Sequence, residues 1–390
     1  MFIDLTPEQK REQLRFREYF STLMTPMLKA ELCYSEGGGP EYSVAIRKMG
    51  SDGLLGLGWP KEHGGQEKSS IEQFLFFDEA QRAGFPIPFL TINTVGPTLA
   101  RFGSKEQRRF YCPKILAGEL HFSIGYTEPD AGTDLASLKT TAVREGDEFV
   151  INGQKIWTSL AGHADYMWLA CRTDPRASKH KGISLIIVPA NALGVSKTQM
   201  STMGGNETFT CYYENVRVPV ANLVGPENGG WRLITSQLNH ERVALMATGP
   251  MMFFTEEVMK WARSTEASTG IMMSELAWVQ RNFAILHAKN EVLKLMNWRQ
   301  AERIDKNQLM AHEASSIKVF GSEYFIEGYR LLMEILGAGS CLDQSCEQAI
   351  LGGKLERYYR AISVLTFGGG TNEVQRDIVA TVGLGMPRSR

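Results

Sequence analysis

The chain has no stretch near the roughly 18 uninterrupted apolar residues of a membrane span, and its start, MFIDLTPEQKREQ, has no apolar signal core. A cytoplasmic protein with no membrane partner is expected. An excess of one charge is missing too: 42 Lys and Arg stand against 43 Asp and Glu, a formal −1. No global field remains to hold a polyanion, so no nucleic-acid partner is expected. The six cysteines (33, 112, 171, 211, 341, 346) form no CxxC pair, and the seven histidines form neither HxxxH nor HExxH. Reduced, mostly buried thiols and no metal site follow. GxGxxG after a strand, GxSxG and GxxxxGK[ST] are all lacking. The usual starting points for Rossmann, hydrolase and P-loop chemistry are therefore absent.

With 390 residues, 43% of them hydrophobic, the chain can bury a large core and divide into two or three domains. Residues 1–120 read as helical. Thr6, Pro7 and Gln9 give an N-cap, a first-turn proline and a capping-box partner, and SIEQFLFFDEAQRAG and SKEQRRFYCPKILAGE repeat apolar residues at helical spacing. Residues 121–230 change to β-branched and aromatic runs, and Asn152-Gly153 in DEFVINGQKIWTS signals a hairpin. A barrel or sandwich of five to eight strands is expected there. Residues 231–390 return to long helices with apolar faces, enough for a bundle. The sum is an α+β layout with the β part between helical parts.

Three consecutive glycines, 368–370, stand before a helix-like run in TFGGGTNEVQ. Such triplets mark a backbone that bends sharply or approaches something closely. FSIGYTEPDAGTDLASL, from Phe122 to Leu138, offers a loop whose N–H groups and hydroxyls suit a polar ligand, although a decorated turn reads the same way. In QKIWTS, Trp157 stands beside Thr158 and Ser159. A tryptophan in a strand is more often core than cofactor stack.

Together, YTEPDAGTD and QKIWTS resemble the acyl-CoA dehydrogenase family, which carries TEPxAGSD and KxWI(T/S)N. LGLGWPKEHGG, NVRVPVANLVG and GGGTNEVQRDIVA extend the resemblance over the whole chain. It implies an N-terminal helical domain, a middle β-barrel domain and a C-terminal four-helix bundle, with FAD between the last two. By position, Tyr126, Thr127 and Thr133 would bond the flavin ring and pyrophosphate, with Gly132 in the same loop. Trp157 would pack on the flavin, with Thr158 beside it and the Ser159 hydroxyl near N5. Gly369, Thr371 and Glu373 would approach the cofactor from the C-terminal segment. The implied reaction removes the pro-R α-proton of an acyl-CoA thioester, sends the β-hydride to the flavin and yields a trans-2-enoyl-CoA. An electron-transferring flavoprotein is the acceptor the family implies.

Many members take the proton with the glutamate of a Tyr-Glu-Gly-Thr motif, where this chain has Gly369. Another carboxylate is on offer. In WRLITSQLNHERVAL, Trp231, Ile234, Leu238 and Leu245 line one helix face, and Glu241 falls on it. Desolvation there raises a carboxylate pKa and suits it to accept a proton, although pairing with an arginine such as Arg242 is the plainer fate. A branch of the family carries its base in such an ER pair, so the resemblance implies Glu241 as base and Arg242 as its support. The segments that lend cross-subunit FAD contacts in most members depart here, with Glu266, Glu334 and Ala338 at key positions. This resembles the heterotetrameric α2β2 enzymes of actinobacterial steroid (cholesterol-type) side-chain degradation, in which a homologous subunit completes the site. Two alternatives remain open: a non-catalytic partner subunit, and a flavin oxidase or monooxygenase on the same fold.

Overall fold

The computed structural model describes residues 3–33, 35, 37–240 and 246–387. Six helices come first: α1 (Pro7–Leu23), α2 (Pro26–Glu31), α3 (Pro40–Ser51), α4 (Ser70–Arg82), α5 (Gly96–Phe102) and α6 (Lys105–Leu116). Reciprocal capping boxes start three of them, Thr6 with Gln9, Ser69 with Glu72, and Ser104 with Gln107. Helix α4 is buried along most of its length because α1 covers one side and helices of the C-terminal part cover the other.

Eight strands follow: β1 (Phe122–Gly125), β2 (Thr141–Glu145), β3 (Glu148–Ser159), β4 (Tyr166–Arg172), β5 (Ile183–Pro189), β6 (Val195–Ser201), β7 (Glu207–Pro219) and β8 (Leu223–Val224). They form one sheet in the order β6-β7-β3-β2-β4-β5-β8, with β1 parallel to β4. Strand β4 is buried on both faces. Trp168 and Ala170 join the helical core on one side, and Met167, Leu169 and Cys171 join the sheet's own core on the other, as a two-residue period requires.

The hairpin expected at Asn152-Gly153 is elsewhere. Both residues lie inside β3, and the turn falls at Gly146, with φ +62, between β2 and β3. Asn152 instead grips β7, its Oδ1 accepting the Asn215 N–H at 2.8 Å, and the pairing register shifts between Ile151 and Gly153. Here Asn-Gly serves a β-bulge rather than a turn.

Six more helices follow among the described residues: α7 (Gly230–His240), α8 (Gly249–Ser264), α9 (Ala277–Asp305), α10 (Ala311–Leu336), α11 (Lys354–Ile362) and α12 (Asn372–Ile378). Helices α8, α9 and α10 enclose a second helical core, and α7 packs with the first. No described helix is long and apolar enough to cross a membrane.

Candidate active site

Strand β1 delivers the loop that begins at Tyr126. Glu128 and Ala131 exchange two backbone hydrogen bonds of 3.1 Å and close the loop into a tight turn. The Glu128 carboxylate folds beneath it and accepts from the Lys139 N–H at 2.6 Å, the Thr140 N–H at 2.9 Å and the Lys155 ammonium at 2.8 Å. Both members of the ion pair are buried. Burial opposes ionisation of Glu128, but the Lys155 charge and these hydrogen bonds outweigh it and hold the carboxyl below its usual range. Burial likewise draws the Lys155 ammonium below its ordinary value, against the pull of Glu128.

Strand β3 meets the loop where the Ile156 N–H donates to the Thr127 carbonyl at 2.9 Å. The β3–β7 register breaks again between Lys155 and Thr158, and within the break Trp157 takes a left-handed φ of +59. A bulky residue in that region is strained, and such strain gathers at functional sites. The bulge turns the indole outward, leaving it 58% exposed. Gly132 and Thr133 are exposed, and Tyr126 and Thr127 are half-buried, at the loop's rim. Thr158 departs from expectation: its side chain is fully buried on the inner side of β3 with Lys155, so only its backbone remains for a ligand. An exposed aromatic face beside a rim of N–H groups and hydroxyls fits a flat, polar-edged ring such as a flavin.

Ser159 faces a cavity of about 690 Å³ where the N-terminal helices, the sheet and the C-terminal bundle meet. Phe77, Phe85, Phe89, Phe122, Tyr42 and Tyr358 supply its aromatic walls, and no carboxylate stands among its described lining residues.

Helix α7 buries Leu233, Ile234 and Gln237. The Trp168 indole N–H donates to the Tyr126 hydroxyl at 3.1 Å, and that hydroxyl donates onward to the Gln237 amide oxygen, so α7 is tied to the loop. The Gln237 Nε2 is buried without a partner. Glu241 and Arg242, the expected base and its support, lie outside the described residues.

The glycine triplet ends in left-handed backbone, φ +68 at Gly369 and +93 at Gly370. A Cβ on Gly369 would meet nothing within 4 Å. The Lys318 ammonium fixes the segment from below, donating to the Gly370 carbonyl at 2.6 Å and Asn372 Oδ1 at 2.8 Å. Burial pushes Lys318 down to about 8, against the charge of Glu373. Thr371 caps α12 by accepting the Val374 N–H at 3.2 Å, and Glu373 is exposed. The structure therefore brings Tyr126, Thr127 and Trp157 together, and it places Thr371 and Glu373 at the start of α12.

Sequence reasoning passed over Lys155, Glu128, Gln237 and Lys318. Lys318 carried a signal, a charge on an otherwise apolar helix face, which is the same signal that singled out Glu241.

The chain matches the models of the acyl-CoA dehydrogenase N-terminal domain over residues 6–119, the middle domain over 123–216 and the C-terminal domain over 228–384. It belongs to the acyl-CoA dehydrogenase family, and it is an oxidoreductase. It is similar to acyl-CoA dehydrogenase FadE26 of Mycobacterium tuberculosis, 53% identical with both chains covered in full. Among solved structures it resembles the ChsE4-ChsE5 complex from Mycobacterium tuberculosis, with TM-score 0.94, 53% identity and full coverage of both chains. It also resembles the Tcur3481-Tcur3483 steroid ACAD, with TM-score 0.95, 48% identity and full coverage of both.

Proposed function

We propose that this chain is the flavin-holding, base-carrying subunit of a heteromeric acyl-CoA dehydrogenase that desaturates the CoA thioester of a steroid side chain to the trans-2-enoyl-CoA. The observation that carries the reading is the wide aromatic cavity beside Ser159, and the sequence adds a glycine, Gly369, where many relatives keep their glutamate. Flat aromatic walls suit a ringed acyl group, and pockets of this volume bury most of a ligand that size. Similarity to a steroid ACAD and to the ChsE4-ChsE5 complex supports the reading.

FAD, when bound, supplies the hydride acceptor. The protein's own part is to hold it and to move a proton. Trp157 offers its indole face, the loop from Tyr126 to Thr133 offers N–H groups and hydroxyls, and Ser159 reaches the cavity. Glu241 removes the α-proton, with Arg242 beside it. In the sequence, Glu241 stands four residues after Gln237, which α7 buries. A homologous subunit completes the far end of the FAD site, and an electron-transferring flavoprotein takes the electrons.

Glu241→Gln tests this. It should retain FAD yet slow bleaching of the flavin by a steroid acyl-CoA by about a hundredfold or more, the scale of a lost general base. Bleaching at the native rate would remove Glu241 from the chemistry.

A further inference from the structure

A buried Lys–Glu pair is costly, and replacing one with apolar side chains of like volume is often neutral or better. The turn above Lys155 is already closed by the Glu128–Ala131 hydrogen bonds, so holding the loop shut does not account for the cation. Its second bond does. The Lys155 ammonium donates to the Tyr126 carbonyl at 3.0 Å, and the Lys155 stem crosses β1 at Gly125, where an added Cβ would stand 3.4 Å from its Cγ. That carbonyl and the Thr127 N–H are two ends of one planar, conjugated peptide. A cation on the oxygen draws electrons from the nitrogen and strengthens the N–H as a donor, an effect enlarged in a dry interior. Among the described residues the Thr127 N–H has no acceptor.

We propose that Lys155 is a positioning residue that holds and polarises the Tyr126–Thr127 peptide toward the cofactor, and so favours the reduced flavin. This rests on the flavin reading above. A flavin ring gains negative charge on reduction, and a fixed, polarised N–H stabilises that charge without reorganising. Glu128 offsets part of the cost of burying that charge.

The test uses the flavin-loaded protein and two variants. Lys155→Met with Glu128→Gln removes both charges together, so that neither is left uncompensated. It should fold, shown by an unchanged circular dichroism spectrum, bind FAD about tenfold or more weakly, as for a lost charged hydrogen bond, and show a more negative two-electron potential. Glu128→Gln alone leaves the ammonium on the Tyr126 carbonyl, and its potential should stay at or above the native one. Native potential and FAD affinity in the double variant would overturn the proposal. So would a fall in potential in Glu128→Gln alone, which decides the matter even if the double variant does not fold. Native protein that binds no FAD even when co-expressed with a homologous subunit would instead sink the flavin reading.

Discussion

At Gly369 the backbone is left-handed, φ +68, and the space beside it is open to 4 Å. Volume therefore does not bar a side chain there, and the conformational penalty for a non-glycine residue is about 1 kcal/mol per position. Gly370 differs, since a Cβ there would lie 2.6 Å from Gln375 Nε2. A base moved to the first position should work in part. Glu241→Ala combined with Gly369→Glu should bleach its flavin with substrate at least about tenfold faster than Glu241→Ala alone, still below the native rate, because general-base catalysis is worth more than that. Equal rates in the two variants would show that this space does not open on the reacting carbon. Glu241 was singled out in the sequence because a helix face can be counted, and it lies outside the described residues. Lys155 and Gln237 were not, because their meaning comes from Glu128, 27 residues away, and Tyr126, 111 residues away.

Helix α8 starts against α4 through a single buried carboxylate. Asp78 accepts the Thr248 and Gly249 N–H groups at 2.6 and 2.8 Å. Burial raises its pKa to about 6 from an ordinary 3.8, against the Gly249 N–H and with help from the charge of Glu79. A raised carboxyl binds more protons folded than unfolded. Its contribution to stability is full below pH 3.8 and is lost as the pH rises through about 6. Asp78→Asn should lack this dependence. Between pH 4 and 7 the native protein should lose up to about 3 kcal/mol of unfolding free energy relative to the variant, measured by denaturant melts at each pH. Parallel curves would mean that Asp78 titrates alike in both states. At this scale the sequence was informative wherever the signal was local. The capping box at Thr6 lies where it was expected, because cap and partner are three residues apart. Asn152-Gly153 misled because the same pair serves a hairpin or a bulge, and the choice was made by Asn215 on another strand.

Across the whole molecule, α11 joins parts distant in sequence. Arg357 donates to the Cys33 carbonyl, to the Gly204 carbonyl at 3.4 Å and to Asn206 Oδ1 at 3.4 Å, linking an N-terminal loop, a β6–β7 loop and the C-terminal bundle around the cavity. On the proposed reading a homologous subunit completes the far end of the FAD site, and Lys289 of α9 is already paired with Glu327. The chain purified alone should therefore carry well under one FAD per chain by visible absorbance, rising when it is co-expressed with a homologous subunit. One FAD per chain without a partner would remove the heteromer and leave the dehydrogenase. The order of helical, sheet and helical regions was readable from composition shifts alone, whereas the cavity between them was not, since it is made by all three.

Of the seven tryptophans, Trp59 and Trp168 are buried, while Trp157 is 58% exposed on its bulge. An indole in water emits at longer wavelength than one in a core, and a flavin laid against it quenches that emission by energy transfer. The fluorescence difference between native protein and Trp157→Phe should thus report an empty site by a red-shifted band that an external quencher reaches, and a filled site by its loss. On the proposed reading, β3 carries its own lamp, dark when the flavin is in place.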